Sequence, residues 1–265
     1  MKRHIELLVA TATAPGAAGA AAAAVAGDSL IIANGQQARI LQAWSDHQAA
    51  GFAQIIRTTS GHDTTRDLRY EVAVSELSGH MPMGVASELA PQELLSITLA
   101  GSATAGDVET LCLLVEYDEL KGLGDQNLID WPTLMRRMEK TVNLDVQIAA
   151  AVGPAFAASE ELITAETDLL KANREYAVLG YKVRAETAAV YLRGPDTANR
   201  RVGGPGNDLD ARTTLGWFTG LSRAFGRPCI PVISAANKGS TFVGVHADEN
   251  AGNINVSFVL ALLKE

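Results

Sequence analysis

Histidine, arginine and aspartate are the residues of this sequence whose types could support chemistry. The histidines are too widely spaced to form a His-x-His pair, the usual start of a transition-metal site in a β-barrel wall. They are His4, His47, His62, His80 and His246. Neither a Gly-x-Ser-x-Gly elbow nor a phosphate loop is present, since no Gly-Lys-Ser/Thr follows the Gly-Pro-Gly at 204–206. We therefore predict no catalytic, cofactor-binding or metal-binding residues.

A charged cluster surrounds this glycine-rich stretch. It consists of Arg193, Asp196, Arg200, Arg201, Asp208 and Asp210. Its carboxylates could serve a calcium or sugar site. The alternative, which we favour, is a salt-bridged loop at a contact between subunits.

The composition points to assembly. The net charge of −8 argues against a protein whose main work is binding phosphates, and no sequence-specific nucleic-acid binding is expected. Charged residues are 20%, while hydrophobic residues are 47% and 24 glycines add to them, so a monomer would expose much apolar surface. Cys112 and Cys229 both lie in apolar runs and are interpreted as buried structural thiols.

The first residues superficially resemble a signal peptide, because basic residues 2–4 precede an apolar and alanine-rich stretch. Glu6 and Pro15 interrupt that stretch, and residues 5–15 have a counterpart inside the chain. No segment is apolar for long enough to span a membrane. We therefore interpret the N-terminus as a structural strand.

An internal duplication provides that counterpart. At an offset of 139, apolar positions of residues 5–9 align with those of 144–148, and the register continues without a gap to about residue 40. At an offset of 146, residues 105–108 (Ala-Gly-Asp-Val) align with 251–254 (Ala-Gly-Asn-Ile). Residues 111–115 align with 257–261 at the same offset. Between the two registers lies a loop of different length in each copy.

Each copy is predicted to consist of short strands and turn-rich loops. Residues 69–74 and 95–99 alternate as half-buried strands do. Gly106 and Gly252 are expected at positive φ before the last strand of each copy, and residues 194–196 and 201–206 are predicted to be loops.

Two segments carry helical signals. Residues 131–140 follow Asp130, a good N-cap, with a proline in the first turn. Residues 159–171 could also be helical, beginning at Ser159.

The predicted fold is all-β, with two tandem jelly-roll or β-sandwich modules related by internal duplication and a short connecting helix. The first module is placed at residues 1–120, the helical connector at 121–142, and the second module at 143–265. β-Sandwich is the broader description, and jelly roll is the preferred one because long, variable loops join well-spread strands.

Two fused modules with low charge and much alanine and glycine resemble the double jelly-roll major capsid proteins of tailless, often membrane-containing viruses. The resemblance is architectural and covers nearly the whole chain, without a signature motif. It implies a structural protein of the virion, not an enzyme and without a cofactor. Three chains would form a pseudo-hexagonal capsomer, and the partners would be other copies of the chain and other virion proteins.

Two alternatives remain open. A duplicated β-sandwich could bind carbohydrate or serve as a virion attachment protein, although aromatic residues are only 5% and the three tryptophans do not repeat. A duplicated jelly roll could also be a cupin-type metalloenzyme, which the histidine spacing disfavours.

Overall fold

The computed structural model describes sixteen segments of the chain. They are residues 3–13, 23–24, 26–27, 30–31, 36–47, 53–60, 63–71, 87–89, 94–100, 108–118, 124–151, 159–166, 170–183, 187–206, 214–247 and 252–264. The chain divides into two compact units. We call Leu8–Asp118 with Pro154–Phe156 the N-terminal unit, and Met1–Leu7, Glu119–Gly153 and Ala157–Glu265 the C-terminal unit. Strands dominate both units, which confirms the predicted all-β class.

The described residues of the N-terminal unit include ten strands, of which β1 begins in residues assigned to the other unit. They are β1 (Arg3–Thr13), β2 (Ala23–Ala24), β3 (Ala26–Gly27), β4 (Leu30–Ile31), β5 (Ala38–His47), β6 (Ala53–Ser60), β7 (Asp63–Glu71), β8 (Ser87–Leu89), β9 (Leu94–Ala100) and β10 (Val108–Asp118). One sheet has the order β3-β1-β10-β5-β8, and the other has the order β2-β9-β6-β7 with β4 also on β9.

In the described residues of the C-terminal unit, strands are accompanied by helices α1 and α2. In chain order they are β11 (Leu128–Ile129), α1 (Trp131–Arg137), β12 (Met138–Ala151), β13 (Ser159–Leu162), β14 (Glu175–Val183), β15 (Thr187–Arg193), β16 (Val202–Pro205), α2 (Trp217–Phe225), β17 (Ile230–Ser234), β18 (Phe242–Ala247) and β19 (Gly252–Leu263). Short 3₁₀ helices cover Ile163–Glu166 and Ala235–Ser240. The sheets have the orders β11-β17-β14-β19-β12 and β13-β18-β15-β16.

The two sheets of the C-terminal unit enclose an aromatic core. Tyr181 of β14 reaches across from the first sheet, and its hydroxyl donates to the Pro205 carbonyl of β16 at 2.8 Å. The Tyr181 ring meets Phe218 of α2 and Phe258 of β19 edge to face. Alternate residues of β19 from Ile254 to Leu262 are buried, as expected of a strand with one face on a core. The unit is therefore a β-sandwich.

Apart from the short strands β3 and β11, the two units share one strand order. If the strands are taken in pairs, β1 corresponds to β12, β5 to β14, β8 to β17 and β10 to β19 in the first sheets. In the second sheets, β2 and β4 correspond to β13, β6 to β15, β7 to β16 and β9 to β18. Each unit also has one extra residue where a strand of its first sheet pairs with the last strand of the unit, in the pairings of β5 with β10 and of β14 with β19. That residue is Leu41 in β5 and Leu179 in β14. The two bulges lie one position apart under the 139-residue offset.

Several local predictions are confirmed. Asp130 is the N-cap of α1, and its carboxylate accepts from the Thr133 N–H at 2.8 Å. Gly252 has a φ of +69°, as its turn requires, whereas Gly106 lies outside the described residues. Cys112 and Cys229 are both buried thiols. No helix in the described part of the chain is long and apolar enough to cross a membrane.

The helix predicted at residues 159–171 is wrong. Ser159–Leu162 instead forms β13 and pairs antiparallel with β18, and a single 3₁₀ turn follows. Ladder hydrogen bonds to a long-range partner outweigh the local helical preference of the two glutamates. Helix α1 is also shorter than the predicted 131–140, because Met138 already begins β12.

The loop predicted at residues 201–206 is also wrong, since Val202–Pro205 forms β16. This strand lies at the edge of its sheet, where proline does not remove a needed ladder bond. Gly203 and Gly204 lie against Tyr191 and Trp217, where a Cβ atom would overlap its neighbours. The glycines therefore allow close approach of the strand rather than a turn.

Candidate functional site

The strongest concentration of polar contacts lies on the outer face of the sheet β13-β18-β15-β16. Residues alternate along β15, so that Val190 faces the core while Tyr191 and Arg193 face outward. The core side is identified by Gly204, which pairs with Val190 and lies against Tyr181 and Trp217. We call Glu160, Tyr191, Arg193, Arg201 and His246 the outer-face cluster.

Glu160 of β13 is the centre of this cluster. Arg193 donates to both of its carboxylate oxygens, from Nε to Oε1 at 2.9 Å and from a terminal nitrogen to Oε2 at 2.6 Å. The Tyr191 hydroxyl also donates to Oε1, at 3.0 Å. The hydrogen bonds from Arg193 lower the pKa of Glu160, with the Tyr191 hydrogen bond and the nearby charge of Arg193 in support. Both oxygens of this carboxylate are thus occupied by fixed donors.

Tyr191 is buried although it lies on the outer face. Its ring covers Gly244 of the neighbouring strand, where any side chain would overlap it. The ring lies 5.6 Å from that of His246, and the Arg201 guanidinium lies 5.8 Å from its centroid. Burial raises the pKa of the Tyr191 hydroxyl. A terminal nitrogen of Arg201 lies 3.1 Å from His246 Nε2.

The arginines and aspartates predicted as a cluster have separate partners. Arg193 pairs with Glu160, and Arg200 pairs with Glu6 at 3.3 Å. Asp196 accepts from the Ser234 N–H and the Asn237 side-chain amide, each at 2.9 Å. Burial raises the pKa of Asp196. Asp208 and Asp210 lie outside the described residues.

The loop between β15 and β16 is held by its own hydrogen bonds. The Gly194 N–H donates to the Thr197 hydroxyl, which donates to the Arg200 carbonyl at 2.8 Å. Ala198 and Asn199 both adopt positive φ, at 52° and 56°. Two successive non-glycine residues in this region indicate a loop whose shape is fixed by its surroundings.

Of the five histidines, the structure describes the side chains of two. His4 and His246 are buried in the C-terminal unit. The side chains of His47, His62 and His80 fall outside the described part of the chain. Among the residues that the structure describes, no three His, Cys, Asp or Glu side chains are close enough together to hold a metal ion.

Glu160, Tyr191 and His246 were not predicted as partners of the arginine cluster. Tyr191 could have been predicted, because residues two positions apart in a strand lie on the same face, and Tyr191 is two positions from Arg193. Glu160 was misread as a helix residue, and His246 is 45 residues from Arg201 in sequence. The arrangement pairs opposite charges and links β13 to β15 through side-chain hydrogen bonds.

Comparisons with known proteins give only distant similarities. No protein-family model matches the chain, and no curated protein matches it. A chain in the atomic structure of Sulfolobus Turreted Icosahedral Virus is similar at 11% identity over 89% of this chain and 55% of that chain, with a TM-score of 0.24. This chain therefore spans about half the length of that viral chain. The PBSX exported protein XepA is similar at 8% identity over 93% of this chain and 88% of its own, with a TM-score of 0.25. Such TM-scores are too low to establish a shared fold.

Proposed function

We propose that this chain is a structural protein of a virion that assembles into a shell. The observation that carries the proposal is the common strand order of the two units. Eight strands are counted in chain order in each unit, with β2 and β4 taken as one strand and with the short strands β3 and β11 left out. The first, third, sixth and eighth strands share one sheet, and the second, fourth, fifth and seventh share the other. A jelly roll, a fold that recurs in viral capsid domains, has this arrangement, and the strand order therefore supports the proposal.

We further propose that the two jelly rolls arose by duplication within the chain. The gapless sequence registers at offsets of 139 and 146 support this origin. So does the bulge at Leu41 and Leu179, because bulges tend to be kept among related sheets. Three such chains would supply six similar modules, enough for a pseudo-hexagonal capsomer. Unequal loops would then distinguish contacts that identical copies could not.

The outer-face cluster supports a structural rather than a catalytic role. Its carboxylate is bound by Arg193 and Tyr191, and its histidine lies against Arg201. Large aromatic side chains, which sugar-binding surfaces use for stacking, are mostly inside. Trp44 and Trp217 are buried, and half-exposed Trp131 is covered by the Arg223 guanidinium 5.2 Å away. These placements favour a shell protein over the carbohydrate-binding alternative.

The test is the state of assembly of the purified full chain. Sedimentation velocity and light scattering over a wide concentration range should detect trimers, and negative-stain microscopy should show six-lobed particles or closed shells. Circular dichroism on the same sample verifies the β-rich fold. A folded monomer that persists at all concentrations would contradict the proposal. Saturable binding to a glycan array by that monomer would favour the carbohydrate-binding alternative.

A further inference from the structure

The first residues of the chain belong to its C-terminal unit. Met1–Leu7 is grouped with residues 119–153 and 157–265, although β1 continues to Thr13. His4, Ile5 and Leu7 have exposed fractions of 0%, 1% and 0%, so the segment is deeply packed. The question is which groups of the C-terminal unit recognise it.

Gln126 recognises the main chain of Ile5. Its Oε1 accepts from the Ile5 N–H at 2.7 Å, and its Nε2 donates to the Ile5 carbonyl at 2.9 Å. The same Nε2 donates to the Thr197 carbonyl at 3.2 Å. A primary amide carries one donor group and one acceptor, as a peptide group does. Gln126 therefore substitutes for a neighbouring strand at this position.

Two further contacts extend the recognition along the segment. The Leu7 N–H donates to the Arg201 carbonyl at 2.8 Å, immediately before the edge strand β16. The Arg200 guanidinium lies 3.3 Å from Glu6 Oε1, with that carboxylate mostly buried. Of these contacts, only the ion pair involves a side chain of residues 5–7. The other contacts are made with the main chain of that segment.

We propose that Gln126 with residues 197–201 is a docking site for an extended peptide segment, and that the chain's own residues 3–7 occupy it. The site recognises β conformation through main-chain groups, as strand-addition sites do. Arg200 adds a preference for an acidic residue between two buried apolar ones. By covering the start of an edge strand, the docked segment also protects it from pairing with another chain. This inference does not depend on the proposed shell function.

The first test measures amide hydrogen exchange in the full chain. In the variant Gln126→Ala, the Ile5 and Leu7 amides should exchange about tenfold faster or more, because the two hydrogen bonds between Gln126 and the segment are lost. Amides of β14 and β19 should be unaffected. Gln147→Ala is the matched control, since Gln147 makes one exposed side-chain hydrogen bond, to Asn255 at 3.1 Å. Unchanged exchange at Ile5 and Leu7 in a folded Gln126→Ala variant would overturn the proposal.

A charge exchange tests the ion pair separately. Glu6→Arg and Arg200→Glu should each accelerate exchange at Leu7, and the double variant should restore slow exchange because the pair is re-formed with its charges reversed. If the double variant exchanges as fast as the faster single variant, Arg200 does not recognise the segment. Exchange at Leu7 in these variants also tests the docking of the segment if Gln126→Ala fails to fold.

Discussion

Gly204 shows how a single residue sets the spacing between the sheets of the C-terminal unit. A Cβ atom at this position would overlap the Trp217 indole and the Tyr181 hydroxyl. It would also disturb two hydrogen bonds, from Trp217 to the Gly203 carbonyl and from Tyr181 to the Pro205 carbonyl. The site therefore has no room for even the smallest side chain.

We expect Gly204→Ala to lower the free energy of unfolding by about 2–3 kcal/mol, through overpacking and weakened hydrogen bonds. Urea denaturation followed by tryptophan fluorescence measures the change. Gly239→Ala is the control, because nothing lies within 4 Å of a Cβ atom built there. Equal free energies of unfolding in the two variants would contradict this prediction, because they would show that the two sheets accommodate the added methyl group without loss of stability.

Glu160 gives a prediction for pH. The hydrogen bonds from Arg193 lower its pKa in the folded protein below the ordinary 4.5. The ionised form therefore stabilises the fold above the unfolded-state pKa, and this contribution is lost as the pH falls through the lower, folded-state value. The free-energy difference between wild type and Glu160→Gln should be largest at neutral pH and should shrink below about pH 4.5.

The control for this prediction is Glu139→Gln. Glu139 also pairs with an arginine, Arg174 at 2.6 Å, but its side chain is 44% exposed against 23% for Glu160. Solvent screens such a pair, so its removal should change stability little at any pH. Denaturation at a series of pH values measures both variants. A difference for Glu160→Gln that stays constant from pH 7 to about pH 3 would contradict the assignment.

At the scale of elements, α1 depends on its cap. The helix has seven residues, too few to be stable alone, and Asp130 satisfies the Thr133 N–H at its start. Asp130→Ala should lower the free energy of unfolding by about 1 kcal/mol, while Asp130→Ser should retain most of the stability because serine also caps. Thermal denaturation compares them, and an equal loss in both variants would argue against capping.

The same scale shows where the sequence was informative. The cap and proline of α1 and the alternation in β9 are local signals, and both elements were predicted from them. β13 and β16 carry the opposite local signals, glutamates and glycines, and became strands only through pairing with β18 and β15. Edge strands with few apolar residues take their structure from a neighbour that is distant in sequence, so local patterns miss them.

At the scale of the whole molecule, the alternation of polar and apolar residues in short segments predicted the all-β class. It did not predict the assignment of residues 1–7, because the contacts of Gln126 with Ile5 span 121 positions. The sequence also did not predict the ion pairs of the charged cluster. Arg193 pairs with Glu160 and Arg200 pairs with Glu6, rather than with the aspartates that are near them in sequence. Side-chain partners of this kind depend on the folded path of the chain and leave no periodic trace in the sequence.

The position of β19 has a consequence for synthesis of the chain. This strand lies between β12 and β14, which have no direct pairing with each other, and β10 has the corresponding place between β1 and β5. In each unit, the last strand to be synthesised is therefore the one that pairs with both of its neighbours and connects them into one sheet. A nascent C-terminal unit holds β12 and β14 as open edges until β19 emerges, and over that interval it depends on chaperones or on its own solubility to avoid aggregation.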